Sequence, residues 1–391
     1  MKKFFNNRIA FPVKELAESG KLSGMLLLLF TVISLLMTNV FIGESYIAFW
    51  QKKAGIDFFS KTLEHWVNDG LMAVFFLLVG LEIKREILKG ELSEVKKALL
   101  PVFSAAGGVI FPALIFVFFN SGTEYIRGWA IPTATDIAFS LGVLTLLGKR
   151  VPFSLKIFLT ALAIIDDLIA ILIIAFIYTS SLSLIYLYLS LFVMSVLLLF
   201  NKYKVRYLSL YYILGIFLWF FILKSGVHAT IAGVMLAFTI PLKYIEQLEI
   251  FLHKPVTYFI LPVFALVNTA IPVDTEAMSS LTSSLGLGII LGLFAGKVTG
   301  ITFFSYLANK LRIGKIPENI SFKHMIGVGF VAGIGFTMSI FITNLSFTNS
   351  FILNESKLAV LIGSLISALT GILVFRSIKD KTHVKKINAD S

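Results

Sequence analysis

Four charged side chains fall where a hydrocarbon-spanning sequence should carry none. Asp166 and Asp167 stand side by side in the run Phe153 to Tyr178, FSLKIFLTALAIIDDLIAILIIAFIY, which holds no other charge between Ile157 and Ile177. At about 1.5 Å per residue that stretch spans the roughly 30 Å hydrocarbon core, with the pair at its middle. Asp136 lies mid-way along a second apolar stretch, GWAIPTATDIAFSLGVLTLLG, and Lys297 mid-way along a third, LGLGIILGLFAGKVTGITFFSYLANK. A charge at that depth costs about 2.5–3.5 kcal/mol on insertion scales, so such residues mark ion paths, proton relays or buried pairs.

Three carboxylates against one ammonium make an incomplete set. A hard cation with oxygen ligands completes it, and so do protons. Binding one then excludes the other, and at a site exposed alternately to each side that competition is cation/proton exchange. Neighbours on a helix point about 100° apart, so Asp166 and Asp167 cannot share one task. One is expected to pair with Lys297 and the other to face a water-filled cavity.

The elements that hold these residues follow from composition. The chain has 391 residues, is 57% hydrophobic with a mean hydropathy of +0.90, and is only 14% charged. That places it among all-α polytopic membrane proteins. We read twelve helices, centred near residues 33, 74, 109, 136, 167, 192, 214, 234, 264, 297, 335 and 367, in a single transmembrane domain over 1–391. The first apolar run, Gly24 to Ile42, lacks an Ala-x-Ala cleavage signal and reads as a retained span. With both termini cytoplasmic, most Lys and Arg lie in inside segments, so the net charge of +12 reports topology and not a nucleic-acid partner. The absence of Cys excludes disulfides and thiolate metal sites.

Two of the helices read as interrupted. Pro132 cannot donate its N–H and clashes with the preceding turn, while Thr133 and Thr135 can satisfy freed backbone groups, so a second half-helix should begin near Thr135 with Asp136 facing its positive end. The segment GVGFVAGIGFTMSIFI carries Gly327, Gly329, Gly333 and Gly335, suited either to tight packing or to a second break. The interrupted helix is the middle member of two triplets of opposite direction, within core helices at about 98–178 and 287–376. That is the pattern of an inverted repeat whose broken helices meet at mid-membrane. In that arrangement Asp136 offsets two facing half-helix N-termini and Lys297 two facing C-termini.

The periphery says less. Residues 1–23, with Phe11, Val13, Leu16 and Ala17 at near-helical spacing, suit a surface helix or a solvated tail. The Gly43 to Lys61 loop suits a surface helix or a partner contact. Gly107 and Gly108 allow close helix packing. Glu82, Lys84, Arg85 and Glu86 mark a cytoplasmic helix end, Glu249 and His253 share a helical face, and His228 opens a short helix near the outer surface.

The motifs LVGLEIKREI, ATDIAFSLGVLTLLG, ALAIIDDLIAI, SGVHATIAG, GLFAGK and GIGFTMSIFI closely resemble those of the bacterial NhaA-type sodium/proton antiporters, over roughly Lys21 to Arg376. The resemblance implies an inverted-repeat fold in the bacterial inner membrane and pH-regulated, electrogenic export of sodium or lithium ions against a larger inward flow of protons. It implies no cofactor and no enzyme activity. By motif match, Asp167 and Asp136 bind the sodium ion and protons, with Thr135 in the unwound segment, and Asp166 pairs with Lys297. Glu82, Arg85, Glu249 and His253 match the region linked to pH response, with His228 a further candidate. Ile250 stands where the family often has His, which shifts or weakens that response. The Gly43 to Lys61 loop does not read as the short β-hairpin through which some members dimerise, so a homodimer rests on the resemblance alone; lipids are the remaining partners.

Other classes fit less well. No HExxH, P-loop, Rossmann glycine motif or histidine metal cluster appears. The YD and GxGD motifs of intramembrane aspartyl proteases are missing, and Lys297 beside the carboxylates argues against an open cation pore.

Overall fold

Apolar side chains that must leave water and backbone groups that cannot be left unpaired in lipid together dictate helices, and helices dominate. The computed structural model describes Gly20 and residues 22–55, 60–179, 182–317 and 319–378. The expected surface helix around Phe11 to Ala17 and both chain termini lie outside these residues.

In chain order the helices are α1 (Leu22–Phe41), the short α2 (Glu44–Trp50), α3 (Met72–Lys89) and α4 (Val95–Asn120). A 3-10 segment, Glu124–Thr133, is followed by α5 (Ile137–Leu146), then α6 (Phe153–Phe176), α7 (Leu184–Lys202), α8 (Leu208–Ser225) and the short α9 (Ile231–Thr239). The chain continues through α10 (Leu242–Asn268), α11 (Ser284–Lys310), α12 (Phe322–Ala332), α13 (Phe336–Ser346) and α14 (Ser350–Ser377). Among the described residues eight helices are long and apolar enough to cross a membrane, or ten when each of two bent pairs counts as one span. The expected centres near residues 74 and 234 fall in α3, whose end carries Glu82, Lys84, Arg85 and Glu86, and in the short α9.

Both interruptions are present. The 3-10 segment and α5 are bent by 42°, and α12 and α13 by 46°. Between these two broken helices and the rest sits α6, with 78% of its apolar window buried, against 17% for α7 and 28% for α8. The carboxylate-bearing helix is therefore the most deeply buried of these spans, and α1, α7 and α8 are the most exposed.

Close packing sets the lysine-bearing helix. A Cβ on Gly300 of α11 would lie 2.0 Å from the Gly107 carbonyl oxygen of α4, so only glycine lets these backbones touch. The Ser104 and Ser305 hydroxyls meet at 2.6 Å along the same seam. Within α11 a π-helical turn, Gly292–Gly296, directly precedes Lys297, and similar turns occupy Trp66–Leu71 and Val256–Ile260. Each shifts the face that follows it and leaves no mark in the hydrophobic pattern.

The loop after α1 differs from expectation. Beyond the surface helix α2, strands β1 (Lys53–Ala54) and β2 (Lys61–Thr62) pair antiparallel, Lys53 opposite Thr62 and Ala54 opposite Lys61. The Trp66 indole donates to the Ala54 carbonyl at 2.8 Å and secures this hairpin. Two-residue strands show no alternation, which is why the loop did not read as a hairpin.

Candidate functional site

The two unwound segments, around residues 134–136 and 333–335, cross and satisfy one another. The Asp136 N–H donates to the Ile334 carbonyl at 2.7 Å, the Ser140 hydroxyl to Val331 at 2.9 Å and the Ser339 hydroxyl to Ile131 at 2.7 Å. These are carbonyls that a helix end leaves without partners. Small hydroxyls reach them from across the break without burying a further charge. Hydroxyl and amide donors bond these ends directly, and the Lys297 ammonium, expected to offset them, pairs with Asp166 close to the end of α12.

Asp136 caps two helices at once. One carboxylate oxygen accepts from the Phe139 N–H of α5 at 2.9 Å, and the other from the N–H and hydroxyl of Thr337 at the start of α13, at 3.2 and 2.5 Å. A single negative charge thus faces two half-helix N-termini.

Lys297 and Asp166, neither with any side-chain exposure, form an ion pair with Nζ 2.5 Å from Oδ2. The Thr135 hydroxyl lies 2.7 Å from the same Oδ2 and 2.8 Å from the Ala332 carbonyl, so its one proton serves either the ion pair or the end of α12. Asp167 points away from that pair into a cavity of about 60 Å³, room for a few waters. The cavity wall also carries Asp136, Thr337, Glu82 and His253. Asp167 Oδ1 is buried without a hydrogen-bond partner, as is Asp166 Oδ1. Among the described residues no cluster of three or more His, Asp or Glu is built to hold a metal ion. The arrangement instead offers three carboxyl groups on one small cavity, Asp136, Asp167 and Glu82, with a fourth, Asp166, neutralised beside them.

A second charged group lies at the end of α3. Arg85 Nε reaches Glu249 of α10 at 3.0 Å, and its guanidinium meets Glu86 at 3.3 Å. Glu249 is thereby tied to Arg85, while His253, one turn on, lines the cavity with the buried Glu82. Ile250 is 53% exposed and turns out of this network. His228 is not part of it: its Nε2 contacts the Tyr178 carbonyl at 2.9 Å, beyond the end of α6.

Lys84, expected to mark a helix end, is buried. Its ammonium donates to the carbonyls of Phe238 at 2.7 Å and Ile240 at 2.6 Å, closing the C-terminus of α9. Its one sequence signal is the abrupt end of an apolar helix two residues before Pro241.

Comparison with known proteins gives this geometry a context. Residues 14–375 match the family model described as Na+/H+ antiporter 1. The chain is 48% identical over 383 residues to the Na(+)/H(+) antiporter NhaA of Flavobacterium psychrophilum, covering 96% of this chain and 98% of that protein. It is 49% identical over 366 residues to the Na(+)/H(+) antiporter NhaA of Cytophaga hutchinsonii, covering 92% and 94%. With the Na(+)/H(+) antiporter NhaA 2 of Campylobacter jejuni subsp. doylei it shares 45% over 379 residues, covering 94% and 99%.

Proposed function

This chain belongs to the Na+/H+ antiporter 1 family, and on that premise we propose that it exports sodium or lithium ions in exchange for protons across the bacterial inner membrane. The observation that carries the reading is the shared cavity: Asp136 and Asp167 line it together, and Asp167 keeps one carboxylate oxygen without a partner. A cation held between two carboxylates needs both ionised, so protons compete for the same oxygens. Asp166 is withdrawn from that competition by Lys297, with Thr135 as the hinge between the pair and the broken helix. Return of more protons than sodium ions exported makes the cycle electrogenic.

Twelve spans organise the molecule in one domain over 1–391, α3 with its leading π turn and the short α9 completing the ten. The triplets at about 98–178 and 287–376 are inverted copies, a reading supported by bends of 42° and 46° in their middle members. Both termini are cytoplasmic, so the Glu82 and His253 end of the cavity faces the cytoplasm. There Arg85, held between Glu249 and Glu86, together with Glu82 and His253, adjusts access with pH; His228 belongs to the opposite side. The β1–β2 hairpin is the element through which two copies pair, within surrounding lipid.

The deciding experiment is sodium-dependent proton movement in everted vesicles. Asp167→Asn is expected to abolish it, and full exchange in that variant would remove the reading.

A further inference from the structure

A second and larger cavity, of about 360 Å³, lies behind the crossing of the broken helices, framed by α1, α5 and α14. Its wall on α14 is Leu358, Leu361, Leu365, Leu369 and Ile372, one stripe at three- and four-residue spacing. Met25, Leu28 and Leu35 of α1 line it as well. From Leu358 to Ile372 the stripe runs about 21 Å along its helix. The cavity is therefore an elongated groove that runs with the spans.

Its chemistry narrows the choice of occupant. No charged side chain lines it, and its two hydroxyls are engaged: Thr31 donates to the Leu27 carbonyl at 2.7 Å, and Ser364 accepts the Phe336 N–H at 3.1 Å. Water needs several polar partners to settle in a cavity and finds none to spare here. The rim is open, with Met25, Leu28, Leu365 and Leu369 each 45–54% exposed, and in a bilayer hydrocarbon meets that rim. The floor is closed. Ile334 and Phe336, at the second break, are at most 4% exposed, and the Phe336 ring lies 5.8 Å from that of Phe139 of α5.

We propose that this groove binds one acyl chain of a membrane phospholipid, entering from the side between α1 and α14. Its length is comparable with the half of the roughly 30 Å hydrocarbon core that one leaflet's tails fill, and its direction is theirs. The tail also supports the ion site. The Phe139 N–H donates to the Asp136 carboxylate, and the Phe336 N–H opens α13 one residue before Thr337. An occupant packed on these two rings holds the backbone that places Asp136, and an empty groove lets that crossing relax. The site is independent of the antiporter reading, whereas its coupling to exchange rests on it.

A phospholipid with a photoactivatable diazirine on its acyl chain tests occupancy in the full chain reconstituted in liposomes. Mass spectrometry is expected to find adducts on the floor, at Phe139, Ile334 and Phe336. Adducts confined to the rim, as residues 1–19 or a second copy seated in the groove would leave them, overturn the site. Ala368 also lines the groove, and Ala368→Leu is expected to lower floor labelling at least five-fold; undiminished labelling overturns the assignment to this groove. Sodium/proton exchange should differ at least three-fold between straight-chain and bulkier methyl-branched phospholipids, and that difference should shrink in Ala368→Leu. An equal difference in both proteins overturns the coupling alone. Floor labelling without any exchange in the unsubstituted protein overturns the antiporter reading and the coupling, and leaves the site standing.

Discussion

Asp166 and Asp167 are chemically identical neighbours whose tasks are separated by helix geometry alone. One faces an ammonium with no exposure to solvent and the other a small cavity. Removing one partner of a buried ion pair strands the other, at a cost of about 3–5 kcal/mol. Lys297→Ala should therefore lower the melting temperature in detergent as well as the exchange rate, and adding Asp166→Asn should restore part of the stability. An unchanged melting temperature in Lys297→Ala would mean that the pair contributes nothing to the fold. Arg85→Ala, which frees Glu249 and Glu86 from their shared cation, should displace the pH profile of exchange while leaving the maximal rate within about two-fold; a coincident profile would remove this group from pH control. These four central charges could be read from the sequence because each interrupts an apolar stretch. Lys84 could not, since a lysine at a helix end is common, and only the fold shows what it meets.

Helices carry the next level of specificity. Pro132 announced the first break from its missing donor, and the glycines of GVGFVAGIGF left the second open between packing and interruption; the structure uses them for both. Gly335 precedes the start of α13, while a Cβ on Gly329 would lie 2.7 Å from the Val298 Cα. The π turns escaped the sequence reading because one inserted residue does not alter the proportion of apolar positions. The tightest contact, between Gly300 and Gly107, yields a test at this scale. Gly300→Val must push α4 and α11 apart, and overpacking of this kind costs about 1–3 kcal/mol. The variant should melt lower and exchange more slowly even though no charge is touched; wild-type behaviour would show that the two backbones can separate freely.

At the scale of the whole molecule, the apolar composition pointed to a membrane protein before any motif was considered, and the described helices agree. Unequal exchange of protons for sodium moves net charge, so an imposed membrane potential should change the rate in proteoliposomes. A rate indifferent to potential would indicate one-for-one exchange. The glycine contact has another use at this scale. Because Gly107 and Gly300 leave no gap between α4 and α11, these helices are expected to travel as one body when the broken helices move. Spectroscopic labels placed on their outer faces would keep a constant separation, so the molecule carries an internal ruler against which every other displacement can be calibrated.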